Sequence, residues 1–396
     1  MKKLVLMACV LVGVGFGADI KTLTQQCEAK DGKACVDLVV EYYKAKNYSK
    51  AFEFAQKACD LKNARGCRNL GQIYDFGWGV EKDFVKARGF YQQACDMKEA
   101  VGCYNLGSLY VNGRGVEKDI EKAYDFVGKA CDLKFDDTPE LKFNEWCLSL
   151  GADYYNGNNI KQDYAKAAHY YQIACKAKNA VGCSNSGLLY ANGRGVEKDM
   201  IKAAHYFQIA CKAKNADGCV VLGTLYVDGQ GVEKDFFKAR EYYQQACDLK
   251  NGAGCNGLGV LYEKGESVRL DFAKAVSYYK MACDLKNSYG CNNLGWRYKS
   301  GQGVKANKNK AKEFFGKACD LGLQAGCDNY KEMVSPTPTT TLNSKKTLTP
   351  LEKQVIESQC DDYLRNDCDE YEWYDPSQRT QRQMLRKMDE IKMRMY

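Results

Sequence analysis

The stretch Cys211–Cys247, CKAKNADGCVVLGTLYVDGQGVEKDFFKAREYYQQAC, decides the fold. From Ala216 to Val227, the residues Cys219, Leu222, Gly223 and Tyr226 recur at helical spacing, which predicts a first helix, A. Gly229 follows as a C-terminal stop, Val232 offers an apolar contact, and Asp235 is placed to cap a second helix, B. Helix B is expected from Phe236 to about Leu249, with Ala239, Tyr242, Tyr243 and Ala246 on one stripe. Small Ala and Gly where the helices touch, with Tyr and Leu opposite, allow close packing. Neither helix can bury its stripe alone, so a stacked neighbour must do it.

The same unit repeats along the chain. Nine cysteine pairs have the form C-x7-C: Cys27 with Cys35, Cys59 with Cys67, Cys95 with Cys103, Cys175 with Cys183, Cys211 with Cys219, Cys247 with Cys255, Cys283 with Cys291, Cys319 with Cys327 and Cys360 with Cys368. A tenth, Cys131 with Cys147, holds the same place with eight extra residues inside it. First members recur every 36 residues from Cys59 to Cys131 and from Cys175 to Cys319, the mark of a solenoid. Each pair therefore links the end of one helix B to the start of the next helix A, and all ten are expected as disulfides. On one continuous helix, cysteines eight apart would lie about 12 Å apart, too far for a disulfide. The DLKNGAG-type segment, with its Asn and Gly, must turn the chain back and bring the sulfurs together. Closing so short a loop contributes about 2.5 kcal/mol by chain entropy. Metal binding is the competing use of cysteine, but C-x7-C lacks a C-x2-C knuckle and the histidines are only His169 and His205. No metal and no cofactor are expected.

The N-terminus reads MKKLVLMACVLVGVGFGA over residues 1–18: two lysines, an apolar run from Leu4 to Phe16, then small residues. That pattern is a secretory signal peptide cut near Gly17 or Ala18, and places the mature chain in the periplasm or outside the cell. Leu6-Met7-Ala8-Cys9 faintly resembles a lipoprotein box, but Cys9 sits inside the apolar run. Of 21 Cys, the twenty beyond Cys9 make an even number, as an exported disulfide framework requires. No later segment is apolar enough to span a bilayer. The net charge of +8, about +6 without Lys2 and Lys3, is read as a mild bias spread over a long surface, with no nucleic-acid footprint.

The pattern L-G-x-L-Y, G-x-G-V-x-K-D, K-A and Y-Y-x-x-A resembles the Sel-one-like subclass of tetratricopeptide repeats. With C-x7-C added, it resembles the Helicobacter cysteine-rich protein family over residues 27–333. The expected fold is all-α, an α/α superhelical solenoid of disulfide-stapled repeats. Domains are expected as a signal peptide (1–18), a repeat solenoid (19–333) of eight helix pairs and a closing half-repeat, a Pro/Thr-rich linker (334–350) and a helical tail with one disulfide (351–396). The insertion between Cys131 and Cys147 reads as a tolerated corner loop or a binding loop, with Phe135, Phe143 and Trp146 partly exposed.

The resemblance implies two functions. One is protein or peptide binding along the concave face that helix A lines, with host-cell or cell-envelope components as partners. The other is β-lactam binding and weak hydrolysis, with a β-lactam or peptidoglycan fragment as ligand. For binding, Asn recurs two residues after the second cysteine at Asn69, Asn105, Asn185, Asn293 and Asn329, and breaks at Val221 and Gly257. Five residues after that cysteine stand Gln72, Ser108, Leu188, Thr224 and Trp296. An Asn ladder can clamp an extended backbone, since each amide donates and accepts. The alternative is that each Asn bonds the backbone of the adjacent repeat. For hydrolysis, Ser277-Tyr278-Tyr279-Lys280 is the single S-x-x-K, without S-D-N or K-T-G, in an ordinary helix B. Ser277 and Lys280 are the only catalytic candidates. The recurring G-x-G pairs follow a helix and read as stops rather than nucleotide loops. His169 and His205 share one slot a repeat apart, which Glu241 and Ser277 fill elsewhere, and read as solvent-edge residues. A monomer is expected.

Overall fold

In the computed structural model, residues 19–133 and 143–334 are described, and among them there are eighteen helices and no strand. After α1 (Ile20–Glu28), eight A/B pairs follow: α2 (Gly32–Lys44) with α3 (Tyr48–Asp60), α4 (Ala64–Phe76) with α5 (Phe84–Asp96), α6 (Ala100–Asn112) with α7 (Ile120–Asp132), and α8 (Phe143–Asn156) with α9 (Tyr164–Lys176). Then come α10 (Ala180–Asn192) with α11 (Met200–Lys212), α12 (Ala216–Asp228) with α13 (Phe236–Asp248), α14 (Gly252–Lys264) with α15 (Phe272–Asp284), and α16 (Ser288–Ser300) with α17 (Lys308–Asp320). A final helix, α18 (Gln324–Val334), runs one residue past the expected end of the array. The signal peptide, Phe135 and the side chain of Phe143 lie outside the described residues.

The ends of the helices follow from their sequences. Asp235 Oδ1 accepts from the backbone N–H groups of Phe237 and Lys238, so α13 begins where the capping residue stands. Gly229, at φ +70°, closes α12 in the left-handed region that a side chain resists. Gly231, also at positive φ, lies against the backbone of Met200 and Ile201 at the start of the previous helix B. The G-x-G pair is thus both a stop and a docking point between repeats.

The B-to-A corners close as disulfides. Cys27 is bonded to Cys35, Cys59 to Cys67, Cys95 to Cys103 and Cys175 to Cys183. Further along, Cys211 is bonded to Cys219, Cys247 to Cys255, Cys283 to Cys291 and Cys319 to Cys327. These eight bonds, each with sequence separation 8, hold their Cα atoms 4.4–4.8 Å apart. The bond from Cys131 to Cys147 spans 16 positions and holds its Cα atoms at 5.8 Å. The expected tenth bond, Cys360 to Cys368, falls on residues outside the described part of the chain.

At the last corner Gly322 makes the turn, at φ +83°, as the sequence suggests it should. In the other described C-x7-C corners neither Asn nor Gly does, and a lysine takes the role: Lys30, Lys62, Lys98, Lys178, Lys214, Lys250 and Lys286 all sit between φ +58° and +69°. The next residue is needed elsewhere, because Asn251 caps α14 through Ala253 and Gly254 N–H. Gly254 in turn allows Ala246 and Cys247 to approach closely. The positive φ therefore falls on the long, solvated side chain between them.

Each helix packs on the next, and fully buried Leu70, Leu106, Leu189, Leu222, Leu258 and Leu261 fill the space between A and B. A second row lies beside this core. Tyr74–Phe90, Tyr110–Phe126, Tyr154–Tyr170, Tyr190–Tyr206, Tyr226–Tyr242, Tyr262–Tyr278 and Tyr298–Phe314 stack with ring centroids 5.5–5.7 Å apart. A lysine from the first turn of helix B covers the outer ring, as Lys238 does over Tyr226 at 5.2 Å. The insertion perturbs one corner: α7 packs less extensively on α8 than its counterparts do, and α7 meets α9 directly.

Candidate functional site

The face to be tested is the one helix A presents between the buried leucines. Successive A helices approach one another (α2 with α4, α4 with α6, α12 with α14, α14 with α16, α16 with α18), whereas among B helices only α7 and α9 come comparably close. Side chains one, two and five residues after the second cysteine of each repeat lie along this row.

The structure divides the Asn ladder into committed and uncommitted members. Asn293 Nδ2 donates to Asn256 Oδ1 at 3.0 Å, and Asn329 Nδ2 donates to Asn292 Oδ1 at 2.8 Å. These bonds join neighbouring A helices through side chains, where a bond to the neighbouring backbone was the anticipated alternative. Asn69 is 1% exposed, its Oδ1 accepting from Arg68 Nη2 at 3.1 Å while its Nδ2 has no partner. In the register of the later pairs its acceptor would stand at Val36, which has no polar side chain. By contrast, Asn105 (8% exposed) and Asn185 (half-buried) make no side-chain hydrogen bond within the described protein. Among the described residues, two members of the ladder, Asn105 and Asn185, therefore keep uncommitted amides.

The second row is equally mixed. Gln72 is 5% exposed and engaged within the protein. Ser108 is half-buried, with Asn112 Nδ2 donating to its backbone oxygen at 2.7 Å. Thr224 Oγ1 donates to Val220 O at 3.1 Å and lies 3.0 Å from the hydroxyl of Tyr243, whose pKa burial pushes up to about 12. Trp296, 37% exposed, meets Phe315 edge-on and carries Lys299 Nζ 4.5 Å above its ring. Leu188, Val220 and Val221 are half-buried and form an apolar stretch between Asn185 and the C-terminal repeats.

Sequence reasoning overlooked the position one residue after the second cysteine. It supplies the acceptors Asn256 and Asn292, which follow Cys255 and Cys291. It also supplies Arg68, next to Cys67, whose guanidinium pairs with Glu99 at 3.3 Å with both side chains nearly buried. The Asn292-Asn293 doublet was a visible signal, since two adjacent amides on one helix can reach both neighbours. Two partly buried carboxylates are also unannounced. Asp75 receives the Tyr91 hydroxyl at 3.2 Å and lies 3.9 Å from Arg114, yet burial holds its pKa above the usual range. Tyr279 donates to Glu263, which Arg297 pairs at 3.2 Å.

The catalytic candidates are not brought together with anything reactive. Ser277 is exposed and its Oγ donates to Ala273 O at 3.1 Å, one turn back along its own helix. Lys280 is exposed on the same helix. His169, 54% exposed at its side chain, contacts Asp132 at 2.5 Å, and His205 is exposed against Tyr206. Trp146 is half-buried and stacks on Tyr104 with centroids 3.5 Å apart, so the insertion corner is anchored by this ring. Among the described residues no group of His, Cys, Asp and Glu could hold a metal, and no helix is long and apolar enough to cross a membrane.

Comparisons with known proteins agree with this geometry. The Sel1 repeat model matches eight stretches, at residues 42–63, 64–98, 100–135, 147–179, 180–215, 216–251, 252–287 and 288–323. HcpC of Helicobacter pylori, named as a candidate β-lactamase, is 47% identical over 53 residues, which is 13% of this chain and 18% of HcpC. A Drosophila melanogaster homologue of cytochrome c oxidase assembly factor 7 is 49% identical over 43 residues, 11% of this chain and 16% of that protein. The chain thus spans under a fifth of the length of these relatives. Two solved structures share the fold. One is c5321, a protective antigen of uropathogenic Escherichia coli with an SLR fold (TM-score 0.58, 24% identity, 80% of this chain and 67% of that one). The other is a Sel1 repeat protein from Oxalobacter formigenes (TM-score 0.50, 23% identity, 80% and 90%). The 36-residue period, the A/B pairs and the eight matched stretches have one reading: the chain belongs to the Sel1 repeat family.

Proposed function

We propose that the chain is an exported, monomeric, disulfide-braced scaffold that binds an extended protein or peptide segment along the row of A helices, on the concave side of the stack. Sel1 repeats are interaction modules, and helices that approach one another more closely on one side of a stack form its inner face. The observation that carries the reading is the free pair Asn105 and Asn185. Each amide can donate to and accept from a peptide backbone, while Asn293 and Asn329 spend their N–H groups holding repeats together. Leu188, Val220 and Val221 supply the apolar contact beyond them. The corner disulfides, from Cys27 with Cys35 to Cys319 with Cys327, are bonds of an oxidising compartment, which agrees with periplasmic or extracellular partners such as host-cell or envelope proteins.

Random 12-residue peptides displayed on phage and selected against the oxidised full chain test the proposal. Selected peptides should lose roughly 30-fold in affinity for a double variant, Asn105→Ala with Asn185→Ala, about 1 kcal/mol per lost amide. The Asn293→Ala variant should bind as the parent does. Equal affinity for all three chains refutes the clamp. The β-lactam hydrolase reading rests on the name of HcpC alone, matched over 18% of its length. Nitrocefin turnover abolished by Ser277→Ala would establish it instead.

A further inference from the structure

The charge of this protein is not spread evenly. Between Arg297 and Lys317, seven Lys and Arg stand against Glu313 alone, a net +6 in 21 residues, where the whole chain carries +8. The cause lies in one loop. Where four other repeats read Gly-Val-Glu-Lys-Asp, this one reads Gly303-Val304-Lys305-Ala306-Asn307. Two acidic residues have become Lys305 and Asn307.

The substitution alters local pairing. In five other repeats the first-turn lysine of helix B meets the capping aspartate, as in Lys122 with Asp119 at 3.1 Å, Lys202 with Asp199 at 3.2 Å and Lys86 with Asp83 at 3.6 Å. In α17 the cap is Asn307, which still accepts from Lys310 N–H but carries no charge. Lys305, Lys308 and Lys310 are exposed and Lys312 is half-buried. Lys310 Nζ lies over the Tyr298 ring at 5.2 Å and Lys312 Nζ over Tyr330 at 5.5 Å. Among the described residues, none of the four makes an ion pair. Their mutual repulsion, added to the positive end of the helix, is a standing cost that an anionic partner removes.

We propose that this corner, formed by the 303–307 loop, the first turn of α17 and the neighbouring rings of Trp296, Tyr298 and Tyr330, binds an acidic protein segment. Four lysines within eight positions, beside exposed and half-buried aromatic rings, suit a short run of Asp and Glu with aromatic or apolar residues between them. It lies at the C-terminal end of the same A-helix row, where Trp296 and Lys299 stand. A segment running from Asn185 past Val220 would meet it at its end. The inference deepens the proposed scaffold function and rests on that reading for the direction of the segment, but not for the presence of the basic site.

Fluorescence anisotropy with a labelled decaglutamate peptide and the oxidised full chain tests it. Binding should weaken steeply as salt rises. It should fall about tenfold or more when Lys305→Glu and Lys308→Glu are combined, since each reversal replaces an attraction with a repulsion. Reversal of Lys198 and Lys234, the loop lysines of two other repeats, should leave it unchanged. All four lysines are surface-exposed, and circular dichroism checks the fold of each variant. Absence of decaglutamate binding at low salt, equal loss in both variants, or capture by phosphatidylglycerol vesicles in preference to the peptide each overturns the proposal. A chain carrying Asn105→Ala and Asn185→Ala should keep this binding, so failure of the amide clamp and failure of the basic corner are separate results.

Discussion

Replacing Gly218 with alanine sets two rules against each other. Gly218 lies in the first turn of α12, one residue before Cys219, and its N–H donates to Asn215 Oδ1 at 2.7 Å. Helix propensity alone favours alanine there by up to about 1 kcal/mol. Packing opposes it. A Cβ at Gly218 would stand 2.8 Å from Ala210 Cβ, 3.2 Å from Asn215 Oδ1 and 3.4 Å from Cys211 N. The methyl pair is about 0.6 Å inside ordinary van der Waals contact. The helices cannot slide apart freely, because the disulfide between Cys211 and Cys219 holds their Cα atoms 4.6 Å apart. Overpacking of this kind costs roughly 1–3 kcal/mol, so Gly218→Ala should destabilise by about 1–2 kcal/mol net. In an Ala210→Gly background the offending methyl is gone and the remaining contacts are tolerable. There, Gly218→Ala should cost nothing or help, giving a coupling energy of about 1 kcal/mol or more. Urea unfolding of the four oxidised proteins at neutral pH, followed by circular dichroism, measures the cycle. A higher midpoint for Gly218→Ala alone, or additive single effects, refutes the packing account. The same apposition recurs where Gly102 meets Ala94, Gly182 meets Ala174 and Gly254 meets Ala246, so the answer applies to the whole array.

Removing one corner bond with Cys247→Ser and Cys255→Ser should cost about 2.5 kcal/mol by loop entropy, and removing another with Cys131→Ser and Cys147→Ser about 3.1 kcal/mol because its loop is longer; equal or absent losses in denaturant midpoints would contradict the entropic account. Burial raises the pKa of Asp75, so its charge destabilises the folded state above that raised value, and the penalty disappears as pH falls through it. Asp75→Asn should therefore be more stable than the parent at pH 7 and lose that advantage toward pH 4. A constant or growing advantage on acidification would show that the Asp75 carboxylate is not penalised in the fold.

The C-x7-C pairing up to Cys327, the helix order and the G-x-G stops were legible because each depends on residues within about ten positions. The link from Cys211 to Cys219 needs only a reversal of the chain between them, and so do those from Cys59 to Cys67 and from Cys95 to Cys103. Gly229 needs only its own backbone. The turn itself was misassigned. Asn251 is a turn-forming residue in general, but here its side chain caps α14, and the positive φ passes to Lys250. That outcome follows from competition among three adjacent residues for two roles, which composition does not rank.

Relations between repeats were the hidden part. A 36-residue period aligns Asn69, Asn105, Asn185, Asn293 and Asn329 as equals, yet their surroundings come from the residue one repeat earlier. Val36 leaves Asn69 without an acceptor, Asn256 and Asn292 satisfy two others, and Asn105 and Asn185 stay available. By contrast, the charge of +6 between Arg297 and Lys317 can be read from the chain, whereas the lack of ion pairs at Lys305, Lys308, Lys310 and Lys312 among the described residues is seen only in the fold. The repeating unit, its helices and its covalent corners are short-range, and residue order is enough to specify them. Which amides remain free to meet a partner is settled by stacking, because Asn293 and Asn329 are each spent on a neighbour 37 residues away.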